Sequence, residues 1–244
     1  MRRALFLVGF AACSSPSAQV EPDAPIQPAP DASADAPPAE QGFGALSGMC
    51  GVLAAADLTA TTPELVRDTF TFARQYVDAT DRPLLTEGGR HLAETPNAGG
   101  SSLLSEVFAY EQLARCELAT LLKTETEIVY DQTGKITDLE VMLDGHKIGV
   151  SVTRAVAYPF GTTYTLDAAT TLITRKLGDI QLSTANVSDQ DRWDKQILAI
   201  LAWDDAAANT MAQAWAALDA AVKADTIVVL TTTDGEDLFI YTNM

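Results

Sequence analysis

Residues 134–155 read GKITDLEVMLDGHKIGVSVTRA. Two runs of alternating apolar and polar residues flank Asp144-Gly145. Asp-Gly between alternating runs predicts a two-residue type I′ hairpin, because both turn positions need a positive φ that these residues tolerate. Such a turn sets the register, with Leu143 facing His146 and each pair stepping outward. Leu139 then lies opposite Val150 and Val141 opposite Ile148, which makes one apolar face. Asp138 lies opposite Ser151 and Ile136 opposite Thr153 on the other face. Glu140 falls opposite Gly149 and diagonal to Lys147. Opposed side chains sit ~5 Å apart at Cβ. A slip of one residue would exchange the two faces, so this segment constrains the fold more tightly than any other.

The flanking segments extend the pattern. Residues 101–122, SSLLSEVFAYEQLARCELATLL, predict a helix capped by Ser101 or Ser102, with an apolar face through Leu104, Val107, Phe108, Leu118 and Leu121. TETEIVY (124–130) alternates as a strand, and DQTGK turns it. After the hairpin, TLDAATTLITRKLG (165–178) predicts a helix with Thr165 as N-cap and Gly178 as its stop. DIQLSTANV (179–187) reads as a strand. KQILAILAW (195–203) is near-continuously apolar, as expected of a strand buried on both faces. An Ala-rich helix is expected over 204–224. TIVVLTTT (226–233) and DLFIYTN (237–243) read as strands joined at Asp234-Gly235, a second hairpin signal.

Upstream, SGMCGVLAAADL (47–58) suggests a short helix or an ordered arm. LVRDTFTFA (65–73) reads as a strand, since Phe70 and Phe72 alternate with threonines. Residues 84–100 are rich in Gly, Pro and Asn and read as loop. The core order is α-β-β-β-α-β with further elements appended. This argues an α/β domain over residues 43–244, with a mixed sheet and helices on its faces.

That order resembles the PD-(D/E)XK nuclease-like superfamily over roughly residues 101–200, with Asp138 in the middle strand of the meander and positions 151 and 153 presented toward it. The resemblance implies an Mg²⁺ site built from that aspartate, an acid on the next strand, a lysine two residues later and a glutamate from the first helix. Asp138 matches the first acid, and Glu106 or Glu111 matches the helical one. Ser151 stands where the second acid belongs and Thr153 where the lysine belongs; neither supplies the needed charge. A rearranged site would recruit Glu140 as the carboxylate and Lys176 as the migrated lysine, with hard oxygen ligands suited to Mg²⁺. The plainer expectations are a Glu140–Lys147 ion pair and a Lys176 that, with Arg175, sits at a helix C-terminus. Arg154 falls on the apolar face and is expected to snorkel or to pair with a buried acid.

The N-terminus points to export. MRRALFLVGFAA (1–12) has the two arginines, short apolar run and small residues of a signal peptide, and is too short to span a bilayer, which needs ~20 residues. FAAC resembles the bacterial lipoprotein box, which implies a lipidated Cys13. Ser14 resembles the type sorted to the outer membrane, facing the periplasm or the surface. Residues 13–42 are Pro, Ala, Ser and Asp with almost no large apolar side chain, so they read as a disordered tether, extended at ~3.1 Å per residue where it is proline-rich. With Cys13 assigned to lipid, the three cysteines leave Cys50 and Cys116 as a disulfide pair in an oxidising compartment, or else as two buried thiols.

The net charge is −17, and no basic run offers a nucleic-acid footprint. His91 and His146 are far apart in sequence, which disfavours a His-rich metal site. No G-x-S-x-G elbow or Walker loop occurs. The resulting expectation is an envelope lipoprotein that meets the membrane through its lipid. Its nuclease-like domain is expected to bind an envelope protein or ligand, or to serve as structure, without a cofactor. The alternative is an Mg²⁺-dependent nuclease or phosphodiesterase.

Overall fold

The computed structural model describes residues 42–96 and 102–242. The signal segment, Cys13, nearly all of the tether and the Ser101 cap lie outside the described residues.

Seven strands pair into one mixed sheet: β1 (Ala45–Gly48), β2 (Glu64–Phe72), β3 (Thr120–Thr124), β4 (Leu139–Leu143), β5 (His146–Ala155), β6 (Lys195–Ala202) and β7 (Ile227–Gly235). Their spatial order is β1-β2-β7-β6-β5-β4-β3. The central four, β2, β7, β6 and β5, run parallel, and antiparallel strands close both edges. The helices are α1 (Ala55–Thr59), α2 (Asp78–Asp81), α3 (Glu87–Glu94), α4 (Leu103–Cys116), α5 (Leu166–Asn186), α6 (Asp205–Ala217), α7 (Ala220–Lys223) and α8 (Leu238–Tyr241).

Helices cover both faces of the sheet. Val107, Phe108 and Leu113 of α4 pack with Leu139, Val141, Ile148, Val150 and Val152 on one face, together with Phe239 and Ile240 of α8. On the other face, Ile173, Leu177 and Ile180 of α5 and Met211 and Ala214 of α6 pack with Leu198 and Ile200 of β6 and with Val228 and Leu230 of β7. Every residue of β6 is buried, the outcome expected for a parallel strand sandwiched between helical layers.

The hairpin register is the expected one, with Leu139 opposite Val150, Val141 opposite Ile148 and Leu143 opposite His146. Asp144 and Gly145 take φ of +44° and +83°, as a type I′ turn requires. In chain order the middle of the domain runs α4-β3-β4-β5-α5-β6.

Several segments depart from the sequence reading. Residues 84–100 are not simply loop, because they contain α3, whose N-cap Thr86 accepts from the Gly89 N–H. Gly88 and Gly89, part of the composition that read as loop, serve close contact. A Cβ on Gly88 would collide with the Tyr110 hydroxyl, and one on Gly89 with Glu111 Oε1. Helix α4 ends at Cys116, and Leu118 takes a φ of +58° as the chain turns into β3, so Leu121 lies in a strand. The strand placed at 124–130 therefore lies earlier, at β3. The chain turns away after Thr124, whose N–H and hydroxyl both donate to the Glu127 carboxylate.

Gly178 does not stop α5. The Ile173, Leu177, Ile180 periodicity carries the helix through to Asn186, so the expected strand at 179–187 is helical. At the C-terminus no second hairpin forms. β7 ends at Gly235, closely packed on the Phe72 carbonyl of β2, and the chain then turns into α8, where Phe239, Ile240 and Tyr241 are all buried. The segment at 47–58 divides into the end of β1, a linking stretch and α1.

Candidate functional site

The β4–β5 hairpin presents two chemically distinct faces. Leu139, Val141, Val150 and Val152 turn toward α4. By alternation, Asp138, Glu140, Ser151 and Thr153 turn toward α5. Gly149 leaves room for the Trp193 ring, which a Cβ there would approach to 2.8 Å.

Asp138 immediately precedes β4. Its Oδ2 accepts the Val152 N–H at 2.6 Å. Lys176 projects from α5 and donates to the Val152 carbonyl at 2.8 Å. One residue of β5 is therefore held from its N–H by the acid and from its C=O by the base. Burial pushes the Asp138 carboxyl up. The Lys176 charge and the Val152 N–H oppose that push. The two half-buried side chains make no direct ion pair, but each holds a backbone group of Val152 and each charge favours the other.

Ser151 belongs to a buried hydroxyl–amide network. Its Oγ lies 3.0 Å from Thr137 Oγ1. Gln196 of β6 reaches the Thr137 hydroxyl through its Oε1 at 3.4 Å, while its Nε2 donates to Ile180 O, Ser183 Oγ and Thr184 Oγ1 of α5. Gln196 escaped the sequence reading, although a glutamine inside an apolar strand was its signal. Buried polar groups of this kind are retained when their partners are supplied.

Glu140 is 1 % exposed, and its Oε1 lies 3.1 Å from Lys147 Nζ. The ion pair anticipated from the register thus forms between a buried carboxylate and a partly exposed lysine. Thr153 is half-buried, and Arg154 donates to the Ile240 and Tyr241 carbonyls at the end of α8.

The helical acids lie elsewhere. Glu111 is fully buried on α4, and its Oε1 accepts from the Thr86 N–H at 2.8 Å and the Thr86 hydroxyl at 2.6 Å. Burial pushes its carboxyl up. Glu106 accepts from the Ser102 hydroxyl. Because α4 covers the opposite face of the sheet from α5, these glutamates are not brought to Asp138 and Glu140. The structure does bring Asp138 and Lys176 together. Among the described residues, no group of three or more His, Cys, Asp or Glu side chains is arranged to hold a metal ion. The set of Asp138, Glu140 and Glu106 or Glu111 therefore does not fit Mg²⁺, which needs converging oxygens.

Cys50 and Cys116 form a disulfide. It ties the β1–α1 arm to the end of α4, where the Glu117 carboxylate also accepts from the Gly51 and Leu53 N–H groups. Among the described residues, no helix is long and apolar enough to cross a membrane.

No family model matches the chain, and no solved structure matches it. Among curated proteins, it is 37 % identical over 163 residues to the AAC-rich mRNA clone AAC4 protein of Dictyostelium discoideum. The match covers 64 % of this chain and spans 24 % of that protein's length.

Proposed function

We infer that this chain is an envelope lipoprotein whose nuclease-like α/β domain works as a binding or structural module rather than as a hydrolase. The observation that carries the reading is the occupation of its three catalytic candidates. Asp138 and Lys176 both grip the backbone of Val152, and Glu140 is neutralised by Lys147. The order α4-β3-β4-β5-α5-β6, with β3, β4 and β5 antiparallel and β6 parallel to β5, supports the nuclease-like ancestry. The neutral Ser151 and half-buried Thr153 support loss of the chemistry. The acidic net charge argues against nucleic acid as partner. The disulfide supports an oxidising compartment. The lipid anchor at Cys13 and the outer-membrane address rest on the N-terminal sequence alone.

Stability separates a structural acid from a catalytic one. Functional acids held in a strained site commonly leave the fold unharmed or firmer when neutralised. A structural pair does the reverse. Asp138→Ala and Lys176→Ala are each expected to lower unfolding free energy by about 1.5–3 kcal/mol in urea titrations of the full chain, as loss of a charge-assisted hydrogen bond to Val152. Calorimetric titration with Mg²⁺ or Mn²⁺ is expected to give no saturable heat. Saturable binding that vanishes in Asp138→Ala, with stability unchanged, would establish the Mg²⁺-dependent phosphodiesterase instead. Incorporation of labelled palmitate into the full chain, lost in Cys13→Ser, checks the anchor; an unlabelled wild type refutes it.

A further inference from the structure

A second region of the molecule, distant from the hairpin acids in sequence and independent of their role, has the layout of a ligand site. At the C-terminal ends of the parallel strands the chain leaves neighbouring strands for opposite faces. β6 leads into α6, which packs on the α5 face, and β7 leads into α8, which packs on the α4 face. Such a switch point opens a crevice where open α/β sheets bind their ligands. Here it holds a cavity of about 530 Å³, within the usual range for small-molecule sites.

It is lined on the sheet by a pair of threonines, Thr69 of β2 opposite Thr232 of β7. Thr232 is 5 % exposed, and its hydroxyl has no hydrogen-bond partner among the described residues. The residue is buried but lines this cavity, and a hydroxyl that makes no hydrogen bond within the fold is available to a ligand there. One wall is Trp203, stacked on Phe160 at 5.0 Å and met edge-on by Tyr241. The rim carries Asp205 and Asp234, whose side chains make no hydrogen bond or ion pair among the described residues. Asp204 also lines it but caps α6 through the Ala207 N–H, and Asp237 accepts from the Thr233 hydroxyl. Among the described residues, no lysine, arginine or histidine lines the cavity. Two guanidinium groups on neighbouring segments are engaged, Arg154 on the α8 carbonyls and Arg74 on Asp81.

We propose that this crevice binds a small organic cation bearing an alkylammonium group. The rim carboxylates supply the charge, the threonines accept or donate hydrogen bonds, and the indole wall receives the alkyl part. A bare metal ion fits less well, because no three acids among the described residues converge on one point. A diamine spreads its contacts over several ångströms and matches acids placed apart around an aromatic wall.

The test is calorimetric titration of the full chain with cadaverine, alongside 1,5-pentanediol as its uncharged analogue and Mg²⁺ as a compact cation. Saturable cadaverine binding in the low millimolar range or tighter is expected, with none for the diol. Asp234→Asn and Thr232→Val are each expected to weaken it about three- to tenfold, with the circular dichroism unchanged. Asp205→Asn gives a third reading at an exposed position, should Thr232→Val disturb the sheet. Absence of saturable cadaverine binding overturns the proposal. So does equal binding of the diol, Mg²⁺ binding in place of the amine, or amine binding that both aspartate variants leave untouched.

Discussion

Asp68 shows how a single side chain carries the physical chemistry of the whole layer between α4 and the sheet. It is 4 % exposed on β2, its Oδ2 accepts from Gln112 Nε2 of α4 at 2.6 Å, and its Oδ1 has no hydrogen-bond partner among the described residues. Burial pushes its carboxyl up to about 7, against the hydrogen bond from Gln112. The folded chain therefore keeps this proton where the unfolded chain, with a pKa of ~3.9, has released it. Stability from this group is full below the unfolded value and is lost as pH rises through about 7. At ~1.4 kcal/mol for each pH unit between the two values, the loss is at most about 4 kcal/mol. Asp68→Asn is expected to flatten the dependence of the urea midpoint on pH between ~4 and ~7, and to be the more stable protein above that window. Asp68 sits inside LVRDTFTFA, whose alternation marks the strand. The same alternation, with Val66 and Phe70, turns the acid toward the core. That Gln112 meets it there is not legible locally, because α4 is 44 positions away.

At the scale of elements, local sequence is most legible where one period runs unbroken. The hairpin register and the buried β6 are of this kind. The departures cluster at punctuation. Gly178 lies inside α5 at an exposed position, and a Cβ there would meet nothing within 4 Å. Its neighbours Leu177 and Ile180 continue the buried stripe, so packing outweighs the helix cost of one glycine, ~1 kcal/mol. Gly178→Ala is accordingly expected to raise stability by about 0.5–1 kcal/mol, measured as an upward shift in thermal midpoint. Asp234-Gly235 has the chemistry of a hairpin turn, yet β7 already has β2 and β6 on its two sides. A following strand has no free edge beside it, and DLFIYTN closes into α8 against the α4 face.

Across the whole molecule, the disulfide joins residues 66 apart in sequence. In the chain-entropy account, closing a loop of that length stabilises the fold by ~4 kcal/mol. Cys50→Ser with Cys116→Ser is expected to lose about that much, with the stretch between β1 and α1 exchanging amide hydrogens first, since there the bond and the Glu117 contacts hold it to the end of α4, whereas Arg115 still holds Phe43 and Gly44 ahead of β1. Wild type treated with reductant should match the double variant in its urea midpoint.

What the sequence determined by itself is whatever depends on near neighbours: the type I′ turn, the pairing of Leu139 with Val150, and the α/β class; that Cys50 and Cys116 bond rather than stay two buried thiols was decided by the fold that brings them together. What only the tertiary structure decided is which face each distant element covers. Asp138 and Glu111 lie on either side of β3 in the chain, but Asp138 turns toward α5 while Glu111 sits on α4 on the opposite side of the sheet, and so the acids never meet. The crevice beside Thr232 arises the same way, from two parallel strands whose following helices part to opposite faces. The side of a sheet that a helix covers is set by non-local burial, which leaves no period in the chain to read.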